Sequence, residues 1–207
     1  MPNKSPSQSH LAYLELERQI VMLTLKPGAT VSERELIEAS GFGRTPVREA
    51  IQKLEWQGLT VVRPRVGLQI SEIKPYDHRS IMAVRVRLEP YAVRLAAEAA
   101  SAEIKAELAG CAAKMTDAAA SGDFDGFLRA DKAFDVLIET ACPNCFLTTA
   151  LAPLQTHSRR LWYSTATLDK MERSVALHVA VIDAIQQDKS VEAERATANL
   201  IGYLSEH

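Results

Sequence analysis

Three polar residues in the N-terminal third of the chain have the types and spacing of a nucleic-acid contact. Arg44, Thr45 and Arg48 lie within five residues of one another. An arginine can donate two hydrogen bonds to the O6 and N7 atoms of guanine in the major groove. A threonine hydroxyl and the N–H groups at the start of a helix suit a phosphate. Thr45 as N-cap and Pro46 as first helical residue predict a helix that begins here.

The flanking segments predict the elements that would position these side chains. A helical pattern covers His10–Leu25. Ser32 followed by Glu35 is a capping box, which predicts a short second helix that Gly41 closes. The third helix is predicted over Pro46–Gln57. Two short helices joined by a glycine turn form a helix-turn-helix, whose second helix enters the major groove.

A hairpin is predicted directly after the third helix. Leu59–Arg63 and Leu68–Ser71 have strand patterns, and Pro64–Gly67 connects them as a turn. Arg63 and Arg65 place positive charge on this hairpin. Residues 10–72 are therefore predicted to form a winged helix-turn-helix DNA-binding domain.

The motifs of this segment resemble the N-terminal domain of GntR-family transcription regulators. The resemblance implies a dimer that binds a short pseudo-palindromic operator in double-stranded DNA. It also implies DNA contacts at Arg34, Arg44, Thr45, Arg48 and Gly67. The matching motifs are Lys26–Gly28, Ser32–Leu36, Gly43–Ile51, Leu54–Glu55, Gly58–Leu59 and Pro64–Gly67.

Residues 75–207 predict a second domain that is entirely helical. Apolar residues recur there at steps of three and four, and short polar segments interrupt the pattern. The fold class expected for the whole chain is mainly α, with an all-α bundle of about six helices after the winged helix. Asp77 is predicted to cap the first of these helices, and the others are predicted over about 102–120, 123–141, 145–163, 168–187 and 190–205.

This second segment resembles the FCD ligand-binding domain of the FadR branch of the same family. The resemblance implies a dimerising helical bundle with a polar cavity for a small organic acid, often beside a divalent metal ion. The motifs that carry it are Arg85–Pro90, Arg94–Ala97, Asp131–Asp135, Leu177–His178 and Ile182–Ile185.

The family's metal site has four ligands, and this chain has candidate ligands at three of those positions. Asp131 and His178 match the family's ligands, Asp135 stands where the family has a histidine, and the fourth position is Leu200, which has no ligand atom. At most three ligands therefore remain, two of them carboxylates. Carboxylate-rich sites suit Mg²⁺, Mn²⁺ or Ca²⁺. The alternative is a cavity that has lost the metal and holds its ligand by hydrogen bonds and arginines.

Arg85 is the residue expected to bind a carboxylate effector. A guanidinium forms a two-pronged contact to a carboxylate that lysine cannot form. The alternative is a salt bridge of Arg85 within the bundle. Further candidates to line the cavity are Arg159, Arg160, Trp162 and Tyr163, although the sequence does not specify which way they face.

The leading functional prediction is a ligand-responsive transcription regulator, acting as a repressor and not as an enzyme. One alternative is a metal-dependent enzyme that uses Asp131, Asp135 and His178. Another is a structural DNA protein without an effector.

Composition argues against a membrane protein, a secreted protein and a disulfide-rich protein. The 207 residues carry 24 basic and 26 acidic side chains, and no apolar run is long enough for a membrane span. The polar N-terminus lacks the apolar core of a signal peptide, and three cysteines do not form a disulfide framework. We therefore expect a cytoplasmic protein. Cys142 and Cys145 are spaced as in a redox or zinc motif, but Pro143–Asn144 between them favours a plain helix–helix turn.

Overall fold

The computed structural model describes residues 6–74 and 76–206. The chain divides into two compact units, Met1–Pro75 and Tyr76–His207. The described residues form nine α-helices and one three-stranded sheet, with the sheet confined to the first unit. The predicted fold class is therefore confirmed.

The first unit is a three-helix core with a small antiparallel sheet. Its core consists of apolar side chains from all three helices and the sheet, among them Leu16, Leu36, Leu54 and Ile70. The sheet order is β1-β3-β2. The elements are α1 Gln8–Val21, β1 Thr30–Val31, α2 Glu33–Ser40, α3 Arg44–Trp56, β2 Thr60–Arg63 and β3 Gly67–Ile70.

The helix boundaries agree with the capping chemistry of the sequence, with two exceptions. The Ser32 hydroxyl accepts from the N–H of Glu35, whose carboxylate accepts from the N–H of Ser32, so the predicted capping box is confirmed. However, α1 ends at Val21 and not at Leu25, because Leu23 has a left-handed backbone with φ +57°.

The second exception is the start of α3. Its N-cap is Gly43, and Thr45 is the second residue inside the helix, so the prediction of Thr45 as N-cap is wrong. The extended backbone that an N-cap requires falls at Gly43, with φ −72° and ψ 171°. A glycine tolerates this conformation but adds no side-chain cap.

The predicted hairpin is present, and a short strand that the sequence did not reveal joins it. β2 and β3 pair with Arg63 opposite Gly67, and β1 pairs on the other edge of β3. β1 has only two residues, too few for an alternating pattern to be recognised.

The second unit is an all-α bundle of six helices, as predicted. Helix α4 packs against α6, α7 and α9, helix α5 packs against α6 and α8, and helix α8 packs against α9. The helices are α4 Asp77–Ala99, α5 Ala102–Ser121, α6 Phe124–Ala141, α7 Cys145–Ser164, α8 Leu168–Gln186 and α9 Ser190–Glu206. The N-cap of α4 is Tyr76 and Asp77 is its first residue, so the prediction of Asp77 as the cap is wrong.

Candidate nucleic-acid interface and polar cavity

The N-terminus of α3 presents an exposed, positively charged surface. The side chains of Arg44 and Arg48 are 74% and 61% exposed, and Thr45 is exposed in the same turn. No side chain caps the helix at Gly43. The N–H groups of the first turn and two guanidinium groups therefore lie together on one surface, which suits a phosphate and a base edge.

Glu33 at the start of α2 connects this surface to the preceding helix. Its two carboxylate oxygens lie 3.4 Å from Nε of Arg44 and 2.8 Å from Nε of Arg48. Arg34, the other predicted contact on α2, pairs with Glu38 at 2.8 Å. Exposed ion pairs of this kind contribute about 0–1 kcal/mol. The arginines can therefore exchange these carboxylates for DNA phosphates at little cost.

The wing adds a second charged element to the same unit. Arg63 is hydrogen-bonded to Gln69 across the hairpin, and Arg65 lies in the turn with a left-handed φ of +65°. Gly67 has φ +106°, and nothing lies within 4 Å of where a Cβ would be. The glycine at this predicted contact is therefore required by the backbone conformation and not by lack of space.

A polar cavity lies inside the helical bundle. Its volume is about 350 Å³, which includes the part that opens to solvent. Two arginines, two aspartates and a histidine are among its lining residues, together with two aromatic side chains. The lining residues are Arg85, Phe127, Leu128, Asp131, Asp135, Gln155, Ser158, Arg159, Trp162, Ser174, His178 and Leu204.

Arg85 lines the cavity and forms a salt bridge within the bundle. Its Nε and Nη2 donate to the two oxygens of Glu89 at 2.7 and 2.8 Å, and its Nη1 donates to the Ser158 hydroxyl at 2.6 Å. The Arg85 side chain is only 7% exposed. Burial lowers the pKa of Arg85, but the charge of Glu89 outweighs it and keeps the guanidinium ionised. Arg85 therefore forms the salt bridge within the bundle that was the alternative to effector binding, and its partner is Glu89.

Asp131 and His178 form a second buried pair. Nε2 of His178 lies 3.0 Å from a carboxylate oxygen of Asp131, and Nδ1 lies 2.8 Å from the carbonyl oxygen of Ser174. Burial raises the pKa of Asp131, but the hydrogen bond with His178 and the charge of Arg159 outweigh it, so the net pKa is lowered. For His178, burial lowers the pKa, whereas Asp131 raises it more.

Asp135 is held by two donors from α7. Nη1 of Arg159 lies 2.9 Å from one carboxylate oxygen, and Nε2 of Gln155 lies 3.1 Å from the other. Burial raises the pKa of Asp135 to about 7; the charge of Arg159 opposes this, and the nearby Asp131 adds to it. Asp135 is therefore the acid of this cluster that titrates closest to neutral pH.

The three predicted metal ligands all line one cavity, but they do not form a ligand set. Among the described residues, no group of three His, Cys, Asp or Glu side chains is arranged to hold a metal ion. Leu200, at the fourth position, is buried, and the neighbouring Asn199 is exposed. The donor atoms of Asp131, Asp135 and His178 face cationic or hydrogen-bonding partners from the chain itself.

Of the candidates on α7, Arg159 and Trp162 line the cavity, and two residues that the sequence did not single out join them. Gln155 and Ser158 lie at steps of three and one from Arg159 and Trp162, so all four share one helix face. A polar stripe at helical spacing was the signal that could have identified them. Ser174, one turn before His178 on α8, was also missed.

The cysteine motif lies at the turn between α6 and α7. Cys142 follows the last residue of α6, and Asn144 caps α7 by accepting from the N–H of Leu147 at 3.2 Å. All three cysteines are free thiols. The interpretation of Pro143–Asn144 as a helix–helix turn agrees with this geometry.

The two units together define a class of protein: a winged helix-turn-helix DNA-binding domain joined to an all-α domain with an internal polar cavity. Residues 8–70 match the family model described as bacterial regulatory proteins, gntR family, and residues 80–203 match that of the FCD domain. The chain therefore belongs to the GntR family of transcription regulators and carries an FCD domain.

Relatives that match along most of the chain are also named as transcription regulators. The chain is 28% identical to the uncharacterized HTH-type transcriptional regulator YieP of Escherichia coli K12, over 94% of each chain. It is 28% identical to a probable D-xylose utilization operon transcriptional repressor of Paenarthrobacter nicotinovorans, over 90% of this chain and 82% of the relative. The solved structure of E. coli McbR/YncC has the same fold, with a TM-score of 0.81 at 22% identity over 96% of this chain and 95% of that one.

These names are those of transcription regulators and not of enzymes, in agreement with the leading prediction. They do not support the alternative of a metal-dependent enzyme. Within residues 6–74 and 76–206, no helix is long and apolar enough to span a membrane.

Proposed function

We propose that this regulator binds a short pseudo-palindromic operator as a dimer, and that a small organic acid in the helical domain relieves repression. A regulator of this kind acts in the cytoplasm, where the operator DNA is. The family supports the dimer and the operator. The exposed N-terminus of α3, with Arg44, Thr45 and Arg48, supports direct reading of bases.

The observation that carries the ligand-sensing part is the hydroxyl of Ser174. This side chain is 1% exposed and lines the cavity, and its Oγ has no hydrogen-bond partner among the described residues. A buried hydroxyl without a partner costs about 1–3 kcal/mol. A ligand that hydrogen-bonds Ser174 would recover this energy.

The charge of the cavity favours an acid as that ligand. Arg85 and Arg159 both line it, and guanidinium groups form the strongest hydrogen bonds to carboxylates. The three nitrogens of Arg85 already donate to Glu89 and Ser158, so a ligand meets its remaining N–H groups or replaces Ser158. The lining residues come from five helices, so one ligand can change how those helices pack.

The effector is tested by thermal unfolding of the full chain against a panel of mono-, di- and tricarboxylic acids. A ligand of the native state raises the melting temperature. We expect at least one acid to raise it in the wild type and to lose most of that effect in Ser174→Ala. The control is Ser164→Ala, an exposed serine on α7. If no acid of the panel raises the melting temperature, the proposal of an organic-acid effector is wrong. If an acid raises the melting temperature of Ser174→Ala and Ser164→Ala equally, Ser174 does not contact the ligand.

The operator is tested by selecting bound duplexes from a random DNA library. We expect enrichment of a short site with two-fold symmetry, because a symmetric dimer places two recognition helices on equivalent half-sites. Sedimentation of the complex then gives the number of chains per duplex. Enrichment of a single asymmetric half-site bound by one chain would contradict the dimer.

A further inference from the structure

The cluster of Asp131, Asp135 and His178 stands where the family resemblance implies a divalent metal ion. Both aspartates lie one turn apart on α6, and His178 faces them from α8. The geometry of each donor atom decides whether an ion could bind there. His178 and Asp131 are engaged with each other, and Arg159 contacts both aspartates.

His178 has no nitrogen available for a metal. Both ring nitrogens face acceptors, the Ser174 carbonyl at 2.8 Å and the Asp131 carboxylate at 3.0 Å. A ligating histidine donates one N–H to a neighbour and offers the lone pair of the other nitrogen to the ion. In this structure the second nitrogen shares a proton with Asp131, whichever of the two groups holds it. That lone pair is therefore occupied.

Arg159 lies between the two carboxylates. Its Nη1 is 2.9 Å from Asp135, and its Nε is 3.6 Å from Asp131, while its side chain is only 9% exposed. The guanidinium therefore places a fixed positive charge against both carboxylates, at the position where a divalent ion would otherwise supply it.

We propose that Arg159 takes the place of the metal ion, so that the cavity is metal-independent and its fixed cation is a side chain. Leu200, buried at the fourth position of the family's site, agrees with this assignment because it offers no ligand atom. The inference concerns the same cavity as the proposed function. Metal binding, however, is measured without effector or DNA, so its outcome is separate from that of the effector screen.

The test measures metal content and melting temperature of the full chain. Wild-type protein is stripped with a chelator, incubated separately with Mn²⁺, Ni²⁺ and Zn²⁺, and freed of unbound ion. We expect no stoichiometric ion and no shift of melting temperature in the wild type. Arg159→Ala leaves Asp131 and Asp135 without a fixed cation, so that a divalent ion can displace the proton shared with His178. We expect this variant to bind one ion per chain and to be stabilised by it.

The matched control is Arg129→Ala on α6, the helix that carries Asp131 and Asp135. Arg129 is exposed and pairs with Asp123 and Asp125, so its removal also uncovers two carboxylates, but at the surface. We expect no stoichiometric ion in this variant. An ion bound by the control as tightly as by Arg159→Ala would contradict the proposal, because it would show that any uncovered aspartate pair suffices.

Two further outcomes would overturn the proposal. One is an ion bound by the wild type and lost in Asp131→Asn, since Arg159 would then coexist with a metal. The other is the absence of metal binding in both Arg159→Ala and Arg159→Gln. The glutamine variant retains more of the side-chain volume, and the wild-type measurement is decisive even where the alanine variant does not fold.

Discussion

Arg85 and Glu89 form a buried two-pronged salt bridge, with both carboxylate oxygens 2.7–2.8 Å from guanidinium nitrogens one turn earlier on α4. The pair lies at the cavity, and Ser158 on α7 completes the contacts of Arg85. Arg85 therefore both borders the cavity and links α4 to α7. A variant of Arg85 must consequently be tested for stability before its effect on a ligand is interpreted.

Arg85→Ala is expected to destabilise the helical unit by about 3–5 kcal/mol, because it leaves the Glu89 carboxylate buried without a partner. Urea unfolding followed by circular dichroism measures the change. The control is Arg87→Ala, an exposed arginine on the same helix that donates to the Ala83 carbonyl. Arg85→Met combined with Glu89→Leu should recover much of the loss. A single variant as stable as the wild type would contradict the buried-charge argument.

Glu33 is expected to weaken DNA binding, because its carboxylate neutralises Arg44 and Arg48 and repels phosphates. Glu33→Gln should raise affinity for both specific and random duplexes several-fold, and should increase the salt dependence of binding. Fluorescence anisotropy at several salt concentrations measures both effects. Glu55→Gln makes the same charge change at the exposed far end of α3 and should have a smaller effect. If the two variants raise DNA affinity equally, the effect comes from the net charge of the protein and not from the contacts of Glu33 with Arg44 and Arg48.

Arg48→Ala is expected to cost about 1–3 kcal/mol in specific binding and to relax the preference at one base pair. The physical reason is the loss of two hydrogen bonds to a guanine edge. Binding to the selected operator and to single-base variants of it measures the change. If affinity falls equally for every sequence, Arg48 contacts phosphate only.

The stability of the helical unit is expected to fall as pH rises from about 5 to about 8. Burial raises the pKa of Asp135 to about 7, and the pKa of His178 is also raised, since the charge of Asp131 outweighs its burial. A group whose pKa is raised by folding binds protons more tightly in the native state, so its stabilisation is lost as pH rises through the folded pKa. The lowered pKa of Asp131 affects the stability of the unit only at more acidic pH.

Asp135→Asn should flatten this decline, because it removes the group that must ionise in a buried site. Melting temperatures across the same pH range measure the effect. Asp117→Asn, an exposed aspartate on α5, should retain the wild-type slope. An unchanged slope in Asp135→Asn would assign the pH dependence to His178 or to groups elsewhere.

Local chemistry made much of the first unit predictable from sequence. The capping box of Ser32 and Glu35 and the turn glycines act within a few residues of the chain, so their geometry follows from their spacing. The start of α3 was the exception. Gly43 and Thr45 are both acceptable N-caps, and the choice between them depends on how α3 packs into the core through Val47 and Leu54.

The sequence by itself determined the two-domain architecture, the helix-turn-helix with its wing and the number of helices in the bundle, because periodicity and capping are local properties. Only the tertiary structure decided which polar groups meet in the cavity. Arg159 on α7 reaches Asp131 and Asp135 on α6, and Ser158 on α7 accepts from Arg85 on α4. Such pairings depend on how helices rotate against one another, which a single helix pattern does not specify.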